Sequence, residues 1–178
     1  MREEKSGILQ YMTILSIVQY PDPRLKRKAE TVTDFGPDMQ KIIDDMFETH
    51  YAQENCAALA ANQLGIPWNI TVIDFSEKKN QPLCLVNAVI TDQSGTTTLE
   101  EGCMSLLEAG SHPVKRATNI KVRYQDRTGE THEMDATGFM AKCIQHELDH
   151  LAGKVYLDHL GSLKRKLLER KILRKRKK

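Results

Sequence analysis

Two patterns in this sequence, strand-like runs and amphipathic helices, are compatible with an α+β chain. Val- and Ile-rich runs bounded by polar clusters stand at 70–75 and 82–90, followed by a strand-like stretch at 96–99 and a hairpin over 120–134. Amphipathic helical stretches stand on either side, one beginning at Asp38 and one leading from Gly138 to about Ala152. At 178 residues the chain is most simply one domain, able to bury roughly 70% of the surface its unfolded form exposes without help from disulfides.

In chain order, residues 1–11 lack periodicity and are expected to be a flexible N-terminal extension, with the folded part starting near Met12. A Pro21-Asp22-Pro23 turn precedes a basic segment, 24–30, expected along the surface. Asp38 is expected to cap the first helix, whose Met39, Ile42, Ile43, Met46 and Phe47 recur at three- and four-residue spacings and so belong to the core. Residues 56–65 are mostly small, which suits close approach of another strand, a ligand, or tight internal packing. Cys84 reads as a small buried hydrophobe and His132 as an exposed strand residue beyond a turn at Thr128-Gly129. The second helix should stop at Gly153, and Val155-Tyr156-Leu157 suits a short strand. The tail places Leu163, Leu167 and Ile172 near one helical face.

Charge divides the chain unevenly. Residues 161–178 carry ten Lys/Arg and one Glu, against a total of +2 for the protein, so the body is acidic. A basic tail of this kind suits either a polyanionic partner or a solubilising helix. Four cysteines without a C-x-x-C pair, and a charged N-terminus too polar for a secretory signal, point to a reducing cytoplasm. No apolar run approaches the roughly 18 residues a membrane span requires.

The chemistry concentrates in Gln145-His146-Glu147-Leu148-Asp149-His150. Helical spacing brings His146 and His150 onto one face, where two imidazoles can hold a divalent cation while Glu147 stands beside them as a base. A third ligand is required. One protease pattern would place a histidine where Tyr156 stands; another would draw on a later glutamate, and only Glu169, inside the basic tail, follows His150. Cys103, in Glu101-Gly102-Cys103-Met104-Ser105, is the better candidate, since a thiolate suits Zn²⁺ or Fe²⁺.

These two stretches, with Leu59-Ala60-Ala61-Asn62-Gln63, resemble in order and spacing the three motifs of the peptide deformylases, and the similarity runs from about Ile14 to the tail. The resemblance implies antiparallel β-sheets packed around a central metal-binding helix, with a catalytic domain over 12–160 and a basic C-terminal helix over 161–178. It implies removal of the formyl group from N-terminal formyl-methionine of nascent chains by one divalent metal, Fe²⁺ physiologically, replaceable by Zn²⁺, Ni²⁺ or Co²⁺. Carried onto matching positions, Cys103, His146 and His150 are the ligands, Glu147 the general base and later acid, and Gln63 and the backbone N–H of Met104 the oxyanion donors. The peptide would add as a strand near Ala57, Ala58 and Gly102, with Phe139 and Cys143 lining the methionine pocket. Ribosome docking through residues 164–178 is expected, with no membrane and no specific DNA partner. The chain departs from the family's pattern at Cys56 and Ala58, where two glycines are usual, at Leu106, at 108–112, which lacks an arginine, and at Lys142, a position often apolar.

Overall fold

The computed structural model describes residues 13–176; the expected extension, 1–11, lies outside them. Its elements are α1 (Pro37–Tyr51), β1 (Ala58–Ala60), β2 (Ile70–Ile73), β3 (Leu83–Ser94), β4 (Thr97–Glu101), β5 (His112–Arg116), β6 (Asn119–Gln125), β7 (Thr131–Thr137), α2 (Gly138–Leu151) and α3 (Ser162–Lys175). Single 3₁₀ turns lie at Pro23–Lys26, Ala61–Leu64, Met104–Leu106 and Tyr156–His159. The strands form a five-stranded sheet, ordered β1-β2-β3-β6-β7, and a two-stranded sheet of β4 and β5, and every strand pairing is antiparallel. The α+β expectation, with antiparallel sheets about the His-bearing helix, therefore holds.

Packing explains why α2 is central. Its Ala141 and Ile144 are buried against Ile73, Leu85, Ile120, Val122 and Ala136 of the larger sheet, whereas Leu151 joins the cluster that α1 builds with Met39, Ile43 and Met46. Polar anchors fix its position as well. Gln145 exchanges hydrogen bonds of 3.0 Å with both backbone groups of Ala117, and Asn62 donates to the carbonyl of His150. The helix ends at Gly153, whose φ of +76° and carbonyl neighbour, Lys26 O only 2.5 Å from where a Cβ would stand, leave room for glycine alone.

Several elements differ from expectation. Gly36, not Asp38, caps α1; Pro37 occupies the first turn, where its missing N–H costs nothing, and the start lies two residues earlier than a cap at Asp38 would put it. Residues 155–157 form no strand but enter a 3₁₀ turn, with Tyr156 and Leu157 buried. The basic segment from Arg24 is not purely superficial, because Leu25 is fully buried. The tail is helical, but its buried face is Leu168 and Ile172, while Leu163 and Leu167 are 74% and 56% exposed. Residues 163 and 172 differ by nine positions, about half a turn of phase at 100° per residue, so they cannot share a face. Cys84 is half-buried rather than fully so, and His132 lies on β7 as expected but is half-buried rather than exposed, with Nε2 2.9 Å from Asp126 Oδ2.

Candidate active site

Three distant segments converge on one cavity of about 440 Å³, whose walls include Ala57, Ala58, Gln63, Glu101, Gly102, Cys103, Met104, Phe139, Lys142, Cys143, His146 and Glu147. Every site residue expected from the sequence is among these except His150, which lies fully buried one turn beyond His146 on α2. Cys103 caps the 3₁₀ turn that follows β4, and this places its sulfur 3.2 Å from Nε2 of His150. The donor atoms of Cys103, His146 and His150 all lie within 4.8 Å of one another. Thiolate and imidazole donors at ~2.3 and ~2.0 Å from a tetrahedral ion stand about 3.5 Å apart, so the three residues fit one divalent cation.

Each donor is held by its surroundings. Nδ1 of His146 is 2.8 Å from Oε2 of Glu101, which orients the ring and leaves Nε2 for the metal side. Glu101 in turn receives two hydrogen bonds from Arg116, at 2.7 and 3.0 Å, and Arg116 also reaches Asp149 at 2.5 Å. Burial would raise Glu101, but the Arg116 and His146 hydrogen bonds outweigh it and hold the carboxyl down at about 2. Burial lowers His150 well below the usual histidine range, keeping it in the neutral form a metal needs. Cys56 and Cys143, also on the cavity wall, are both pushed up to about 12 by burial and remain thiols.

Glu147 is 4% exposed and its Oε2 has no hydrogen-bond partner among the described residues. A buried carboxylate oxygen left open is costly, so its persistence beside the donors marks a place for a reacting group. Burial, with the charge of Glu101 adding to it, pushes Glu147 up to about 7, while the neighbouring His146 opposes the rise. A divalent cation among the donors would draw the value down again. Gln63 is fixed at both ends of its amide: Oε1 accepts from Ala60 N at 2.8 Å, and Nε2 donates to Ser105 Oγ at 3.1 Å and points at Cys103 Sγ, 3.6 Å away.

The substrate-side expectations are also brought together. Among the described residues β1 is an edge strand paired only with β2, and β4 is paired only with β5, so each has an open edge; Ala57, Ala58 and Gly102 at their ends line the cavity. A Cβ on Gly102 would stand 3.0 Å from Ser111 Oγ, so a larger residue there would require that hydroxyl to shift. Cys56 turns its sulfur toward His50 Nδ1 and Ala58 O, both at 3.3 Å. Phe139 is 47% exposed and meets Phe75 edge-on, with centroids 5.0 Å apart. Glu169 bonds to Tyr20 and Arg165, both at 2.9 Å, and takes no part in the cluster. The sequence reading gave Arg116 no role; fifteen positions beyond Glu101, nothing in its spacing announces the partnership.

Comparison with known proteins agrees with this geometry. Residues 14–166 match the family model described as polypeptide deformylase. Peptide deformylase 1 of Coxiella burnetii is 57% identical over 161 residues, covering 89% of this chain and 95% of that relative. A peptide deformylase structure from Legionella pneumophila superposes with a TM-score of 0.87 at 36% identity, covering 93% of this chain and 96% of the other. One from Ehrlichia chaffeensis, in complex with actinonin, gives 0.86 at 36% identity over 94% of this chain and 100% of the other. With a donor cluster that could hold a metal ion, open strand edges and an antiparallel frame in place, the chain belongs to the polypeptide deformylases, metal-dependent hydrolases that remove the N-formyl group from nascent peptides.

Proposed function

We propose that Cys103, His146 and His150 hold one divalent cation, Fe²⁺ physiologically, and that Glu147 acts as general base and then general acid in hydrolysing the formamide of an N-terminal formyl-methionine. The observation that carries this reading is the meeting of one thiol and two imidazoles within 4.8 Å, beside a buried carboxylate with a free oxygen. A cation held there supplies Lewis acidity that brings the proton of water within reach of a carboxylate base at neutral pH. Glu147 takes that proton and later returns it to the departing amine, so formate and a free α-amine leave. Negative charge developing on the formyl oxygen is met by Gln63 Nε2 and by the N–H of Met104, which opens its 3₁₀ turn and has no partner inside it. The thiolate offsets one positive charge and favours a ferrous ion, although Zn²⁺, Ni²⁺ and Co²⁺ suit the same donors.

The peptide adds as a strand at the open edges of β1 and β4, beside Ala57, Ala58 and Gly102, and its methionine enters between Phe139 and Cys143. The catalytic unit is taken as 12–160, followed by a basic helix over 161–178. The second role of that helix is docking on the ribosome in the cytoplasm: Leu168 and Ile172 fasten it to the body, leaving most of its lysines and arginines outward. Deleting 164–178 is expected to weaken ribosome binding in a salt-dependent way; unchanged binding would remove that role. Free Cys56, Cys84, Cys103 and Cys143 suit the cytoplasm, and among the described residues no helix is long and apolar enough to cross a membrane.

Formate release from formyl-Met-Ala-Ser, against acetyl-Met-Ala-Ser, tests the activity. Equal yields of formate and α-amine from the first alone are expected from the Fe²⁺-loaded protein. Acetate release at a comparable rate would show that Ala58 and Cys56 have redirected the acyl specificity, and release of neither acid would end the hydrolase reading.

A further inference from the structure

Lys142 stands on α2 between two proposed pocket residues, Phe139 and Cys143, and lines the same cavity. Its ammonium lies 4.4 Å from the centroid of the Phe139 ring and donates to the carbonyl of Glu100 at 3.2 Å. Glu100 is registered with Pro113 across the small sheet, and because proline has no N–H this is a non-hydrogen-bonded pair, in which the Glu100 carbonyl turns away from β5 toward the open edge of β4. The four-carbon stem thus forms part of the pocket wall while the charge rests at the rim. Both contacts are to uncharged groups, and among the described residues no carboxylate forms an ion pair with Lys142.

Strand geometry says what passes this charge. β4 runs toward Cys103, so a peptide whose formyl end lies at the donor cluster runs the other way, from Gly102 back toward Glu100. Side chains alternate between faces at ~3.4 Å per residue, which puts the third side chain on the same face as the methionine and about 7 Å farther from the formyl group. The second side chain points to the opposite face. Glu54, an exposed charge on the cavity wall, precedes β1 on the far side and disfavours a carboxylate there.

We propose that Lys142 is a specificity-determining residue that favours an acidic side chain at the third position of the formylated chain. This rests on the deformylase reading above. The test compares kcat/KM for C-terminally amidated formyl-Met-Ala-Asp, formyl-Met-Ala-Asn, formyl-Met-Ala-Lys and formyl-Met-Asp-Ala, using the metal-loaded wild type, Lys142→Met and Lys142→Glu. The wild type is expected to prefer Asp over Lys at the third position by about 5- to 10-fold at low salt, chiefly through KM, with the ratio shrinking as salt rises. Lys142→Met should bring the ratio to about 1 and Lys142→Glu should invert it; because each ratio is read within one protein, a general change in activity does not disturb it. A wild-type ratio near 1, a ratio unchanged in Lys142→Met, or a preference confined to the second position would overturn the proposal. Absence of formate from all four peptides with the wild type would instead strike the deformylase reading itself, and the proposal with it.

Discussion

Glu147→Ala is expected to lower formate release by about 10²- to 10⁴-fold at neutral pH while leaving metal content at one ion per chain. The size follows from what the side chain has to do. It is the carboxylate beside the donor cluster whose oxygen is free, and its burial sets its pKa near 7 before any cation is added. Glu147→Gln separates shape from proton transfer, since it fills the same space and cannot take a proton. Both variants should lose comparable activity, and the amide should fold at least as well as the wild type, because it removes a buried charge without breaking a pair. Formate release from Glu147→Ala within about threefold of wild type would show that the cluster is structural.

Glu101→Ala should have the largest effect on stability among substitutions at the site. Glu101 is 2% exposed and bridges Arg116 to the ring of His146, so its removal strips one partner from a buried guanidinium and frees the imidazole to turn. Breaking a buried pair of this kind costs about 3–5 kcal/mol, and loss of a carboxylate that orients a metal-bound histidine costs about 10- to 100-fold in metal affinity. Chemical denaturation and metal titration read the two effects separately. The same group gives the protein an acid limit. Its carboxyl is lowered from 4.5 to about 2 on folding, so its contribution is complete above pH ~4.5 and is lost as the pH falls toward 2. That stretch of the acid-unfolding curve should flatten in Glu101→Ala; an unchanged slope, or metal affinity within twofold of wild type, would contradict the assignment.

The sequence disclosed the site more fully than the frame around it, for physical reasons. His146, Glu147 and His150 share a face because helical spacing alone puts them there, and Cys103 joined them through a local motif. The central helix, the hairpin over β6 and β7 and the stop at Gly153 were legible from periodicity and turn residues. Strand β5 was not, because five residues containing Pro113 show little alternation, and with it went Arg116, whose importance depends on β4 and β5 lying side by side. The tail was read on the wrong face because leucines scattered among lysines offer more than one stripe. Packing against Leu106, Tyr156 and Leu157 chose Leu168 and Ile172. Residues 155–157 resemble a strand by composition, and their turn is set by Asp158, which accepts from Val155 N at 2.8 Å.

X-ray absorption at the metal edge of the Zn²⁺-loaded protein tests the ligand set most directly. One sulfur at about 2.3 Å with two imidazole nitrogens at about 2.0–2.1 Å is the expected shell, and Cys103→Ser should lose the sulfur. A shell of nitrogen and oxygen alone in the wild type, or one that Cys103→Ser leaves unaltered, would contradict the account.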